Sequence, residues 1–250
     1  MSIPKIIHCC WFGNKEMPAD QQENIKHWKE LMPDFEIKLW KDDDFKEYLG
    51  NSAFVAECIK QNKPGFLSDY FRFTVLYKFG GIYIDTDVEM YKSYEEFTKY
   101  SMFMGFFIDS ELGTAVIGAS KENPIIKELL DKLLSDFDKN HQLVVSNYWV
   151  TKYFIEKFPE FRCCGVDQII GDNIRILPKD YLERYCLNPK KGGGYSEHHC
   201  FGSWYDRKEN KPKEILKKIL GRKIISWLGH KRILRKSKFY AVYKKDLKRK

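Results

Sequence analysis

Two carboxylates one residue apart, Asp85 and Asp87, close a short apolar run that two glycines open: Gly80-Gly81-Ile82-Tyr83-Ile84-Asp85-Thr86-Asp87. The run reads as a buried strand leaving a Gly-Gly turn. Ionised acids do not stay inside such a strand without a counter-charge. The pair therefore belongs at the strand's end, facing a cation, a substrate or both. Side chains alternate along an extended strand, which puts Asp85 and Asp87 on one side. A hard divalent ion holding a phosphate is the natural partner for two such groups. The bland alternative is a solvated turn after a strand.

Three other groups could share that chemistry. Asp69 and Arg72 sit at i, i+3 in the preceding segment and so share a helix face. They could be a local ion pair, but their helix is otherwise apolar and aromatic, which favours a polar ligand or the acid pair as their target. Trp11 stands where the first apolar strand ends, as a core aromatic or as a base-stacking surface. His198, His199, Ser203 and Trp204 form a late cluster just after Gly192-Gly193-Gly194. Histidine is a common metal ligand and serine a phosphate donor, and the glycines suit a moving lid.

The elements that must position these groups alternate. Lys5 to Phe12 and Phe35 to Trp40 read as strands, with a helix over Asp20 to Leu31 between them. Short helices are predicted over Asp42 to Leu49 and Ala53 to Gln61. Phe66, Tyr70, Phe73 and Tyr77 recur at helical spacing, and Gly80 supplies the stop. Strands follow over Phe103 to Ile108, Thr114 to Ala119 and Asp172 to Leu177, with helices over Pro124 to Phe137 and Asn147 to Phe158. The alternation predicts an α/β domain.

The 250 residues allow one large domain, and 43% hydrophobic content supports a substantial core. No run of 18 uncharged apolar residues suggests a membrane span, and the N-terminus lacks a signal-peptide core. Seven cysteines, an odd number without a CxxC pair, fit reduced thiols in the cytoplasm. Residues 207–250 hold 18 Lys+Arg against 3 Asp+Glu, a balance of +15, which leaves −7 for residues 1–206. We therefore expect a mildly acidic body over 1–206, to which the candidate catalytic groups above belong, and a basic helical tail over 207–250. Ile215, Leu216, Ile219, Leu220, Ile224, Ile225, Trp227 and Leu228 recur near helical spacing among the tail's cations. That pattern predicts an amphipathic helix on an anionic membrane surface. A solvated helix packed on the body is the plainer reading, and nucleic-acid binding is disfavoured because no matching fold signature accompanies the charge.

Taken in order, Ile3-Pro4-Lys5-Ile6-Ile7-His8, Trp11-Phe12-Gly13, Ser68-Asp69 with Arg72, the Gly80 to Asp87 segment, and His198-His199 with Gly202-Ser203-Trp204 resemble the DXD glycosyltransferases of family 32. That family includes yeast-type mannosyltransferases and bacterial capsular polysaccharide transferases, and is related to the clostridial toxin glucosyltransferases. The resemblance implies a GT-A fold, a single nucleotide-sugar-binding domain on a mixed, mostly parallel sheet. It implies Mn²⁺ or Mg²⁺ on Asp87, with His198 or else His199 completing the shell and Asp85 contacting ribose and sugar or the metal through water. Asp69 and Arg72 would hold sugar hydroxyls. The Ile7-His8 backbone and Trp11 would cradle the base, and Ser203 and Trp204 would bind the β-phosphate and close the lid. Asp109 and Asp167 would face the acceptor.

The implied reaction moves a sugar, with UDP as the favoured carrier, to a saccharide or lipid-linked oligosaccharide in surface polysaccharide synthesis, at the inner face of the cell membrane. No residue announces itself as a nucleophile, so retention of configuration points to front-face substitution. Two rivals remain at this stage. A haloacid-dehalogenase-type phosphohydrolase would use Asp85 as nucleophile, although Glu89 stands where Thr or Val is expected. A basic membrane or nucleic-acid adaptor would need no intact acid pair.

Overall fold

A computed structural model describes residues 2–13, 15–48, 52–183, 194–200 and 229–249. Its first strand, β1 (Ile6–Cys10), leads through α1 (Ala19–Leu31) to β2 (Glu36–Trp40). Two short helices, α2 (Asp42–Lys46) and α3 (Ala53–Lys60), precede α4 (Pro64–Phe79), which runs into β3 (Gly81–Ile84) and β4 (Val88–Met90). A hairpin, β5 (Met102–Ile108) and β6 (Glu111–Ala119), is followed by α5 (Pro124–Asn140) and α6 (Ser146–Lys157). The chain then forms β7 (Gln168–Ile170), β8 (Ile174–Leu177), α7 (Lys179–Leu182), β9 (Ser196–His198) and α8 (Tyr240–Asp246).

Seven strands form one sheet in the order β2-β1-β3-β6-β5-β8-β7. β2, β1, β3, β5 and β8 point one way, and β6 and β7 run against them. The sheet is thus mixed and mostly parallel, as expected. Its alternation builds two cores, because successive side chains leave opposite faces. Ile82, Ile84 and Phe103 join Trp28 of α1 and Met32 just after it on one face. Tyr83, Met102, Met104 and Phe106 join α3, α4, α5 and α6 on the other.

Helix α4 is buried around most of its circumference, as befits a helix wedged between a sheet and other helices. Pro64 opens it at a position where a missing N–H costs nothing. Gly80 and Gly81, at φ 66° and 105°, make the turn into β3. A Cβ at Gly81 would lie 2.5 Å from the Ile6 carbonyl oxygen, so only glycine fits between β1 and the turn.

Several elements differ from the sequence expectations. The helix at Asp42 ends at Lys46 rather than Leu49. β6 begins at Glu111, three residues earlier than the apolar run suggests. The three-residue strands β4, β7 and β9 and the one-turn α7 are too short to carry a period. The expected tail is described only in its last part. Its apolar stretch through Leu228, with Gly192 and Gly193, lies outside the described residues. Residues 229–249, however, pack on the body instead of standing apart. Residues 229–236 are helical, Leu234 and Phe239 are buried, and Phe239 stacks on Tyr148 of α6 with ring centroids 5.3 Å apart. Asp246 accepts from the Cys163 N–H at 2.8 Å. Arg162 donates to the Asp246 and Arg249 carbonyls at 3.2 and 2.6 Å. A charge tally hid these anchors, because an apolar residue every few positions suffices to dock a basic segment.

Candidate active site

The acid pair does not lie on an extended strand. β3 ends at Ile84, and Asp85 to Val88 form a tight turn closed by the Val88 N–H on the Asp85 carbonyl at 3.0 Å. Helix α1 holds that turn. Thr86 Oγ1 donates to Gln21 Oε1 at 2.6 Å, and Asn24 Nδ2 donates to the Thr86 carbonyl at 3.0 Å. The turn, not strand periodicity, makes the two carboxylates converge.

The third member arrives through a separate two-stranded sheet. β4 pairs antiparallel with β9, with Val88 opposite His198. The His199 N–H extends the pairing to the Asp87 carbonyl at 3.1 Å. One ligand atom each from Asp85, Asp87 and His198 then lies within 4.8 Å of the others. His198 Nε2 is 3.3 Å from Asp87 Oδ1. The ring of His199 instead meets Glu89 Oε2 at 3.0 Å, so of the two histidines it is His198 whose ring meets the acid pair. Burial pushes the His198 ring's pKa down, but its bonds to Asp87, Cys200 and Glu183 outweigh that and hold it well above the ordinary value.

Arg72 is the electrostatic hub beneath this trio. It is 4% exposed. Its Nη2 lies 3.1 Å from Asp69 Oδ1 and 3.3 Å from Asp85 Oδ1. Nη1 donates to the Thr114 carbonyl and Nε to the Ser68 carbonyl, the latter at 3.3 Å. The guanidinium also stacks 4.8 Å from the Tyr83 ring centroid, and Tyr83 Oη donates to Asp85 Oδ1 at 2.9 Å. Burial pushes the Asp85 carboxyl up to about 6, against the opposing pull of Arg72 and His198. Asp69 is likewise raised by burial, opposed by Arg72 and by the hydroxyl and N–H of Ser146 at the start of α6. The i, i+3 pair is real, and it also binds the two halves of the site together.

These groups line a cleft of about 920 Å³. The lining includes the Cys10 to Gly13 segment with Trp11, whose indole Nε1 donates to the Lys15 carbonyl at 2.6 Å. The lining also includes Val144, Val145, Asn147 and Tyr148, with Lys236, Ser237 and Lys238 from the folded-back C-terminal segment. Lys238 Nζ sits 4.4 Å from the Tyr148 ring centroid.

Four sequence-based assignments do not fit this geometry. Ile7 and His8 lie inside β1, which pairs with β2 on one side and β3 on the other. Their backbone groups are engaged by the sheet and cannot cradle a base, so the cleft starts at Cys10. Asp109 is not in the cleft wall. It binds Lys179 Nζ at 2.5 Å and His230 Nε2 at 2.9 Å, pinning the C-terminal segment to α7. Burial pushes the Asp109 carboxyl up, but those two partners outweigh it and hold the pKa low. Asp167 forms a bidentate pair with Arg175 at 2.8 and 2.6 Å, away from the cleft. Ser203 and Trp204 lie outside the described residues. Sequence reading missed Glu183, Ser146 and Asn147, which line the cleft. Only the Ser-Asn opening of α6 offered a local signal, as helix-start residues.

Residues 18–104 match the family model for the glycosyltransferase sugar-binding region containing the DXD motif. The chain is 29% identical over 134 residues to inositol phosphoceramide mannosyltransferase 3 of Schizosaccharomyces pombe, a match covering 53% of this chain but 37% of that protein. It is 24% identical over 208 residues to the uncharacterized glycosyltransferase L373 of Acanthamoeba polyphaga mimivirus, covering 80% of each. Among solved structures, the PaToxG glycosyltransferase superposes with a TM-score of 0.54 at 20% identity, over 63% of this chain and 70% of that one. Residues 18–104 thus match the sugar-binding region of the DXD-containing glycosyltransferases, and the chain has the GT-A fold.

Proposed function

We propose that this protein transfers a sugar from a nucleotide-sugar, with a UDP-sugar as the first donor to test, to a hydroxyl of a saccharide acceptor. The convergence of Asp85, Asp87 and His198 at the wall of one cleft carries this reading. Two carboxylates and one imidazole form an oxygen-rich donor set that fits Mn²⁺ or Mg²⁺. Such an ion, when bound, supplies Lewis-acid stabilisation of the charge that grows on the leaving diphosphate. The chain's own residues do the rest. The Cys10 to Gly13 segment and Trp11 receive the base, Asp69 and Arg72 face the sugar, and the walls exclude water that would hydrolyse the donor. In the transfer, the bond from the anomeric carbon to the phosphate oxygen breaks and the diphosphate leaves with the electron pair. The acceptor oxygen bonds that carbon from the same face, and its proton passes to the departing oxygen. Configuration is retained.

The cleft lining combines the apolar Val144 and Val145 with the cations Lys236 and Lys238. This supports an acceptor joined to a lipid phosphate, met at an anionic membrane surface at the inner face of the cell membrane. The remaining cations of 207–250 would rest on that surface, and surface polysaccharide is the expected product. The Schizosaccharomyces relative's name supports a mannosyl donor as the main alternative sugar. The phosphohydrolase reading loses its basis with the fold, and Asp85 is tied to Arg72 and Tyr83 rather than free to attack.

A panel of UDP- and GDP-sugars, incubated with Mn²⁺ or with EDTA, tests the proposal. We expect metal-dependent release of nucleoside diphosphate from one donor, lost in Asp87→Ala, with NMR of the glycoside product showing retention. Donor turnover unaffected by EDTA and by Asp87→Ala, or an inverted product, would contradict it. Full-length protein should float with anionic liposomes, and replacing the cations of residues 207–228 with glutamine should abolish flotation; equal flotation of both would contradict the membrane reading.

A further inference from the structure

Behind the candidate metal ligand His198 lies a buried carboxylate that the reaction itself does not require. Glu183, just after α7, is 1% exposed. Its Oε2 is 3.0 Å from His198 Nδ1, the ring nitrogen turned away from Asp87. Its Oε1 accepts the Ala115 N–H at 3.2 Å. The backbones are joined as well, since the His198 N–H donates to the Glu183 carbonyl at 3.2 Å. Ser196 Oγ donates to the neighbouring Leu182 carbonyl at 2.7 Å. Gly113 of β6 makes the slot for the carboxylate. A Cβ there would lie 2.1 Å from Glu183 Oε1.

We propose that Glu183 is a positioning residue. It accepts the Nδ1–H of His198, fixes the ring's tautomer and rotation, and so presents the Nε2 lone pair to the divalent cation beside Asp87. The proposal rests on the metal reading of Asp85, Asp87 and His198. A neutral imidazole has one N–H and one lone pair, so the partner of one nitrogen decides what the other offers. Carboxylates behind metal-bound histidines also raise ligand basicity, and losing one typically weakens metal binding by roughly 10–100-fold. Gln cannot replace Glu here. It has one carbonyl oxygen for two inward N–H donors, so either Ala115 or His198 would face an NH₂.

The test is the Mn²⁺ dissociation constant of the full-length protein, read from the EPR signal of free Mn²⁺. Wild type is compared with Glu183→Gln, His198→Ala, the double variant and Asp87→Ala. We expect Glu183→Gln to weaken Mn²⁺ binding by about 10–100-fold and to add nothing once His198 is Ala. A merely structural carboxylate would give the same loss in both backgrounds, and that result overturns the proposal, as does an unchanged constant in folded Glu183→Gln. Should that variant fail to fold, ¹⁵N NMR of wild type at saturating Mg²⁺ decides the matter. The resonance missing from His198→Ala must be an Nδ1–H tautomer, and an Nε2–H tautomer overturns the idea. If wild type and Asp87→Ala bind Mn²⁺ equally, the metal reading falls and takes this inference with it. If Asp87→Ala and His198→Ala lose binding but Glu183→Gln does not, only the Glu183 role falls.

Discussion

Replacing Arg72 with Met should destabilise the protein in a pH-dependent way. The substitution keeps most of the side-chain volume but removes the cation that lies 3.1 Å from Asp69 and 3.3 Å from Asp85. It also leaves the Thr114 carbonyl without its Arg72 donor. Removing one partner of a buried ion pair costs about 3–5 kcal/mol, a large share of the roughly 5–15 kcal/mol that a domain possesses. For a chain of this size that corresponds to about 6–20 °C in melting temperature. The pH dependence follows from Asp85, already pushed up to about 6 by burial with Arg72 present. Without the guanidinium its carboxyl rises further above the unfolded value of about 3.9. The added cost is therefore present when the unfolded chain is ionised, at pH 8, and fades as pH falls to 5 and the buried acid takes a proton. Urea unfolding of both proteins in EDTA at pH 5 and pH 8 measures it. A difference below about 1 kcal/mol at pH 8, or one no smaller at pH 5, would refute the reasoning.

The remaining predictions concern the scaffold. His8 Nδ1 accepts from Trp40 Nε1 at 3.2 Å while Nε2–H donates to the Gly80 carbonyl at 2.8 Å, so only the neutral ring fits, and burial pulls its pKa down to about 4. The folded value lies below the unfolded one, so this contribution, about 3 kcal/mol, is present above pH 6.5 and is lost as pH falls towards 4. His8→Gln should flatten the stability profile across that window, and an unchanged slope would argue against a neutral His8. A Cβ at Gly118 would lie 2.0 Å from Phe103 Cε1, so Gly118→Ala should cost about 1–3 kcal/mol through overpacking. Calorimetry reads that loss, and an unaltered melting temperature would contradict the packing account. Asp246→Ala removes the acceptor of the Cys163 N–H and should loosen residues 229–249 by about 1–3 kcal/mol. Limited trypsin digestion should then cut that segment faster, and equal rates would show that the anchor lies elsewhere.

What the sequence discloses divides by the range of the interaction. α4, its Gly80 stop and the acid pair were legible because helical spacing, a left-handed glycine and an apolar run ending in carboxylates are local signals. Asp69 and Arg72 were legible as a pair for the same reason. The convergence on His198 was visible only through the resemblance to a family. Its physical cause is the pairing of two three-residue strands more than a hundred residues apart, which no local pattern encodes. Glu183 lacks any such signal, since a lone glutamate after one helical turn looks like a solvated end. Asp109 and Asp167 misled for the converse reason. Their partners Lys179, His230 and Arg175 are set by tertiary structure, so acids that read as ligands became ion pairs. Ile7 and His8 failed because β1 is an interior strand, a fact of sheet order rather than of residue type.

Calorimetric titration of UDP into the full-length protein addresses the central claim most directly, because it asks whether a cation at the Asp85, Asp87 and His198 site holds a nucleoside diphosphate. The account predicts saturable binding in Mn²⁺ that disappears in EDTA and in Asp87→Ala. Binding of equal strength in all three conditions would contradict it.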